Sequence, residues 1–336
     1  MSIEIAYFCP ADAEPDDFTE WYAMTAAAAR TDSPSMPVPT VESVTARLRF
    51  PMTAPGPSLS WTARRDGDLA GTAVVHLPGA ENDHTAVVAI TTHPALRRTG
   101  VGTEVLRAIV PELRARRRRV VIGYVTADGD GERWARATGF RVVHRLVVQI
   151  LDIAGTDPAL WDVEVPRGYH LEHWSDAAPE QLVASYAMAR RAVHDAPTGR
   201  SSEVIPQWTA AKVREEEEDW RARGFHHTVV AVRDRHGEVV GITEMAVHPS
   251  QPDRGMQQFT AVVPAHRGRG LGRAAKAAMM RRLTAEHPRL RRVGTSTGAE
   301  NLHMIRVNGE LGYATVLTAA TVEADLDALP PPVHPV

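Results

Sequence analysis

An internal repeat constrains this chain more than any other feature. VVPAHRGRGLGRAAKAAMM runs from Val262 to Met280, and TTHPALRRTGVGTEVLRAI runs from Thr91 to Ile109. In register, Arg267 lies 170 residues after Arg97, and the same offset pairs Pro94 with Pro264, Gly100 with Gly270 and Gly102 with Gly272. It also pairs Gly67 with Gly237 and Gly71 with Gly241, while ATGFRVV and ELGYATV align Gly139 with Gly312 at an offset of 173. Shared spacing over so many positions marks duplication of one unit.

The second copy reads as a strand (YHLEHW), an amphipathic helix (APEQLVASYAMARRAV) and a charged helix (TAAKVREEEEDWRARG). Two β-rich runs, FHHTVVAV and EVVGITEMAV, follow around an Asp234–Gly237 turn. A third run, MQQFTAVV, leads into the glycine turn and a helix from Leu271 to Leu283. A short strand, a helix stopped at Gly312 and terminal strands complete the copy. The first copy has equivalents of most of these. Turn formers gather between Asp152 and Gly168, so the expected division is an N-terminal domain at 1–155, a linker at 156–168 and a C-terminal domain at 169–336.

Composition excludes several classes. With 43% hydrophobic and 24% charged residues, the chain is of soluble, core-forming type. A net charge of −3 supplies no field for nucleic acid or an anionic membrane. The one cysteine, Cys9, excludes an internal disulfide framework and a cysteine-rich metal site. The acidic start resembles no signal peptide, and no apolar run approaches the roughly 20 residues of a spanning helix. A cytoplasmic protein without metal is expected. RARRRR, Arg114 to Arg119, lacks interleaved aromatics and reads as a solvated helix end, not a nucleic-acid site.

Helix N-termini leave backbone N–H groups unpaired and carry partial positive charge, which suits phosphate. In RGRGLG the glycines admit a phosphate to the backbone, and Arg267, Arg269 and Arg273 add charge. No Gly-Lys-Ser/Thr follows, so a triphosphate–magnesium loop is a poor match. The turn follows about four elements, whereas a dinucleotide turn would follow the first strand. A diphosphate held without metal fits better, with a plain strand-to-helix connection as the alternative.

These residues resemble the signature of the GCN5-related N-acetyltransferases, the GNAT family, in its tandem-domain actinobacterial form. The signature Arg/Gln-x-x-Gly-x-Gly/Ala is present as Arg267 to Gly272 and again as Arg97 to Gly102. Asn-x-x-Met and Leu-Gly-aromatic follow the second copy. The resemblance covers nearly the whole chain. It implies an α/β (α+β) fold of two tandem GNAT domains, each a mixed, mostly antiparallel sheet flanked by helices. It further implies that acetyl-CoA is held by Arg267, Gly268, Arg269, Gly270, Leu271, Gly272 and Arg273, along Ala261, Val262 and Val263, and by Asn301. In the first copy Arg97, Arg98, Gly100 and Gly102 correspond. A carboxylate on the preceding strand is a common base in the family, which singles out Glu244 as base or amine anchor. Strand alternation puts Glu244 with Ile242 and Ala246, an inward face; a rim carboxylate is the alternative. Val74 replaces it in the first copy, which therefore reads as non-catalytic. The family's tyrosine, acid for the leaving thiolate, is absent: Asn308 and Ala135 stand there. Either Asn308 stabilises the thiolate, water protonates it, or another group serves, with His303 and Tyr313 as candidates, and a strand amide near Val262 or Val263 polarises the carbonyl.

The loop from His194 to Trp208 is expected to form a lip over the acceptor, a small-molecule primary amine. The alternatives are a longer acyl-CoA or acyl-carrier-protein donor, or a non-catalytic acyl-CoA sensor. A monomer is favoured, because a tandem pair supplies its own packing partner.

Overall fold

The computed structural model describes residues 3–50, 56–195 and 199–331. In chain order the first elements are β1 (Ile3–Phe8), α1 (Pro15–Asp32), α2 (Val41–Arg49), β2 (Ser58–Arg65), β3 (Asp68–His76), β4 (Thr85–Thr92), α3 (Val101–Ala115), β5 (Val120–Thr126), α4 (Asp130–Ala137) and β6 (Arg141–Asp152). Then follow β7 (His170–Ser175), α5 (Val183–Arg191), α6 (Ala210–Ala222), β8 (His226–Arg233), β9 (Val239–Val247), β10 (Arg254–Val262), α7 (Leu271–Glu286), β11 (Arg292–Gly298), α8 (Leu302–Glu310) and β12 (Ala314–Asp325).

The chain packs as two units. The first takes residues 3–146, 199–204 and 317–331; the second takes 147–195 and 205–316. Strand order is β1-β2-β3-β4-β5-β12 in the first and β6-β11-β10-β9-β8-β7 in the second. Of the pairs with known register, β4–β5 and β10–β11 are parallel and the others antiparallel, so each sheet is mixed and mostly antiparallel.

Amphipathic spacing builds both cores. Val101, Val105, Ile109 and Leu113 repeat every four residues along one face of α3 and pack against Ala73, Val75 and Val88. Leu271, Ala275, Met279 and Leu283 do the same from α7 onto Val230, Val240 and Met245. On its other face the second sheet meets α5 through Tyr186 and Ala187, with Trp208 beside them. Both faces of β9 are therefore covered, and every one of its residues is buried.

The contiguous division at 155–169 does not match this packing. Residues 147–152 of β6 already belong to the second unit, and β12 from 317 onward pairs β5 in the first. The expected linker is a packed part of the second unit: Trp161 is buried, and its indole N–H donates to Leu311 O at 3.0 Å. Thr156 closes over Gly312, which stops α8 with a φ of +98°. The acceptor lip also departs from expectation. Residues 196–198 lie outside the described residues, while 199–204 pack within the first unit. There Ser201 Oγ and the Ser202 N–H donate to Glu323 Oε1 at 2.7 and 2.8 Å, and Val204 N–H donates to Asn82 Oδ1 at 2.8 Å. A buried carboxylate that needs donors explains the diversion.

A Cβ at Gly312 would come within 2.5 Å of Thr156 Cγ2, in a backbone conformation that side chains resist. Gly312→Ala should lower the unfolding free energy by about 1–3 kcal/mol. Adding Thr156→Ser, which removes that methyl, should return part of the loss in urea denaturation; no recovery would place the cost in φ alone.

Candidate functional site

The two glycine turns share one backbone. A single 3-10 turn, Pro94–Leu96 or Pro264–His266, precedes each. Gly100 (φ 92°) and Gly270 (φ 76°) cap the helices in the left-handed region. Two residues earlier Gly268 has φ +74°, and Arg98 holds φ +64° in the same place despite its side chain. Arg98 thus keeps the turn geometry without a glycine, at a cost in strain. A Cβ on Gly100, Gly268 or Gly270 would meet nothing within 4 Å, so the backbone before α3 and α7 is open to close approach, and helix N-termini attract anions.

A cleft opens at each turn. In the first unit it encloses about 410 Å³ and is lined by Arg97, Arg98, Gly100 and Gly102 among others. In the second it encloses about 780 Å³, and its wall includes Ala261, Val262, Arg267, Gly268, Gly270, Leu271, Gly272, Arg273 and Asn301. Arg269 points to solvent and Val263 donates its N–H to Val240 O at 2.9 Å, so neither joins the wall, and the Val263 amide is not free to polarise a carbonyl. Asn301 Oδ1 caps α8 through the Met304 N–H at 3.1 Å, leaving its amide N–H groups for the cleft. His303 is exposed on the rim. Each turn arginine has an acidic partner that sequence spacing did not disclose. Arg97 makes a two-pronged pair with Asp32 at 2.7 Å, and Arg267 reaches Asp195 at 2.6 Å while its Nε donates to Val262 O at 2.8 Å.

Glu244 faces α5, as alternation required, but does not reach the cleft. It is 0% exposed. Tyr186 OH donates to Oε1 at 2.8 Å, Arg190 Nη2 to Oε2 at 3.1 Å, and His227 Nε2 lies 3.3 Å from Oε2. Burial pushes this carboxyl upward, yet Arg190, His227 and Tyr186 outweigh it and hold Glu244 below the usual carboxylate range. Glu216, the other partner of Arg190, is pushed up, burial being the larger cause. Arg190 itself stacks 3.5 Å from the Trp208 ring. A sealed carboxylate held ionised by a guanidinium is a poor proton acceptor for a substrate, which corrects the expectation of a base at the cleft. Asn308 is likewise sealed, donating from Nδ2 to Gln149 Oε1 at 2.9 Å and lining no part of the cleft. Tyr313 is core, its hydroxyl 3.8 Å from Met280 Sδ. In the first unit Val74 is half-buried and Ala135 is core.

Sequence reading also passed over a polar line on the α7 side of β9 and β10. Lys276, 2% exposed, donates to Gln257 Oε1 at 2.9 Å and lies 5.1 Å from the Tyr313 ring centre. Desolvation pulls its ammonium down to about 7. One of only two lysines in an arginine-rich chain, set in the apolar run LGRAAKAAMM, it was the available signal. Gln257 sits at an irregularity where β10 slips against β9 between Gln257 and Thr260. Among the described residues, no cluster of three or more His, Cys, Asp or Glu is placed to hold a metal, and no helix is long and apolar enough to cross a membrane.

Removing one member of a buried ion pair strands the other, so Glu244→Gln should cost about 3 kcal/mol or more in chemical denaturation; under about 1 kcal/mol would mean that water reaches Arg190. Between pH 7 and 10.5 the unfolded chain holds the proton that buried Lys276 has lost, so its contribution to stability rises with pH across that window. The stability of Lys276→Met relative to wild type should therefore fall by more than about 1 kcal/mol between pH 7 and pH 10. A flat difference would mean that Lys276 titrates as an exposed lysine.

Residues 21–140 and 193–313 each match the acetyltransferase (GNAT) family. The mycothiol acetyltransferase of Nocardia farcinica is 29% identical over 268 residues, spanning 77% of this chain and 80% of that protein. Among solved structures, a tandem GNAT protein from the clavulanic acid biosynthesis pathway superposes with a TM-score of 0.74 at 23% identity, covering 97% of this chain and 99% of that one. A GCN5-related N-acetyltransferase from Sphaerobacter thermophilus gives 0.70 at 18% identity, covering 98% and 96%.

Proposed function

The chain belongs to the acetyltransferase (GNAT) family and is an acyltransferase of that type, and on that premise we propose that its C-terminal unit moves an acetyl group from acetyl-CoA to the primary amine of a small molecule. The observation that carries this reading is the second cleft, nearly twice the volume of the first, running from the glycine turn to β10 and Asn301. Its Arg267, Arg273 and first-turn N–H groups suit the donor's diphosphate, and the edge of β10 suits its extended arm. Asp195 shares Arg267 and would have to release it to an incoming phosphate.

The side chains bind, orient and exclude water. Glu244 reaches no acceptor amine and is neither base nor amine anchor: through Tyr186 and Arg190 it fixes the α5 face of β9, and the amine gives its proton to water. Acetyl-CoA is the donor substrate, which family members use, and no resident metal is required by this scheme. A small acceptor accords with two of the matches, named for mycothiol and for clavulanic acid biosynthesis.

The test uses isotope-labelled acetyl-CoA and a small-molecule extract, with labelled products read by mass spectrometry. Arg267→Ala should raise the acetyl-CoA KM about tenfold, the scale of a lost hydrogen bond to a charged group. Arg97→Ala should leave the rate within about twofold. The reverse pattern would move catalysis to the first unit, and no labelled product from the wild type would leave a non-catalytic acyl-CoA binder.

A further inference from the structure

A line of hydrogen bonds with a fixed sense runs from buried Lys276 to the wall of the second cleft. Lys276 donates to Gln257 Oε1 at 2.9 Å. Gln257 Nε2 faces acceptors: Thr243 Oγ1 and Glu244 O at 2.8 Å and Phe259 O at 3.3 Å. Turning the amide over would set its oxygen against the carbonyls of Glu244 and Phe259, so these neighbours determine its orientation. Thr243 is 0% exposed; its hydroxyl accepts from Gln257 and meets Thr260 Oγ1 at 2.8 Å. Of the two senses open to this bond, the one in which Thr243 donates gives its buried hydroxyl proton a partner, and it leaves the proton of Thr260 over. Thr260 is half-buried and lines the cleft one residue before Ala261.

Each position in this line has an apolar counterpart in the first unit. At the 170-residue offset Leu106 stands for Lys276, Ala73 for Thr243 and Ile90 for Thr260. Ala73 pairs Ile90 as Thr243 pairs Thr260, and Val88 pairs Val75 as Gln257 pairs Met245. The first unit has an unbroken β3–β4 register; the second carries its irregularity between Gln257 and Thr260. Pairing of β10 with β11 is confined to Arg254–Met256, so the two strands part just before Thr260. A polar line set into an otherwise apolar design, ending on a free donor at that gap, has no structural need to end there.

We propose that Thr260 is a catalytic residue of the second unit, its hydroxyl donating a hydrogen bond to the sulfur of the acyl donor as the thiolate departs. This rests on the reading that the second unit transfers acetyl from acetyl-CoA. In that step the amine lone pair forms the C–N bond and the C–S bond breaks, its electron pair staying on sulfur. The proton shed by the amine goes to solvent, and the thiolate takes one from solvent. Thr260 keeps its own proton throughout. Thr243, Gln257 and Lys276 are positioning residues, and Asn308 is sealed away from the cleft.

CoA itself is the probe, so no acceptor is needed. The ultraviolet absorbance of its thiolate is followed against pH for free CoA and for CoA bound to the full chain. Bound to wild type or Thr260→Ser, the thiol should be at least about tenfold more ionised than free CoA at the same pH. In Thr260→Val, an isosteric change, it should ionise like free CoA, with affinity for the protonated thiol unchanged. Gln257→Glu should also abolish the effect, because a carboxylate there accepts from Thr243 and turns the Thr260 proton inward; a merely structural role for Thr260 does not predict this. Thr260→Val that keeps the wild-type ionisation, or a wild type that shows none, overturns the proposal while leaving the acetyl-transfer reading intact. CoA that fails to bind, or whose binding ignores Arg267→Ala, overturns both.

Discussion

A polar group taken out of water must find a partner of the right sense, and the interior of the second unit is arranged around that requirement. On the α5 side Glu244 gathers Tyr186 and Arg190, and Arg190 in turn takes Glu216 and the face of Trp208. On the α7 side Lys276 gathers Gln257, which holds the carbonyls exposed where β10 slips. Neither set would survive the loss of its central side chain, because the partners would then be the orphans. The corresponding strands of the first unit carry Ala73, Val74 and Val88 instead, and rest on packing. The two copies share a frame and differ in how their sheets are held.

That contrast bears on what was legible in the sequence. The duplication, the turn residues and the order of helices and strands could be read because they are local: glycine where φ turns positive, apolar residues at helical or alternating spacing. The face taken by Glu244 was legible for the same reason. Its sealing was not, since the lid consists of Tyr186, Arg190 and His227 from α5 and β8, brought in by tertiary packing. Asn308 shows the same limit. The 173-residue offset located it, but its partner Gln149 lies on β6, which the assumed boundary had placed in the other domain. The acidic partners of Arg97 and Arg267 sit at unequal distances in sequence and left no repeat to follow.

In both units the arginine of the turn is held by a carboxylate that crosses from the end of the first helical segment. An exposed pair of this kind adds little stability and is easily exchanged. It fixes where the guanidinium lies beside the turn. An arginine already held in this way would lose less conformational freedom on meeting an anion.

The boundary strands carry a temporal consequence. A ribosome releases β6 long before β12, and the first unit needs β12 beside β5 to finish its sheet. Some 170 residues of the second unit and its neighbours must emerge before that edge is covered. Until then β5 presents unpaired backbone to whatever it meets. The N-terminal copy is thus first to be made and last to be completed: the duplicated gene lays out two units in which the beginning of the chain waits for its end.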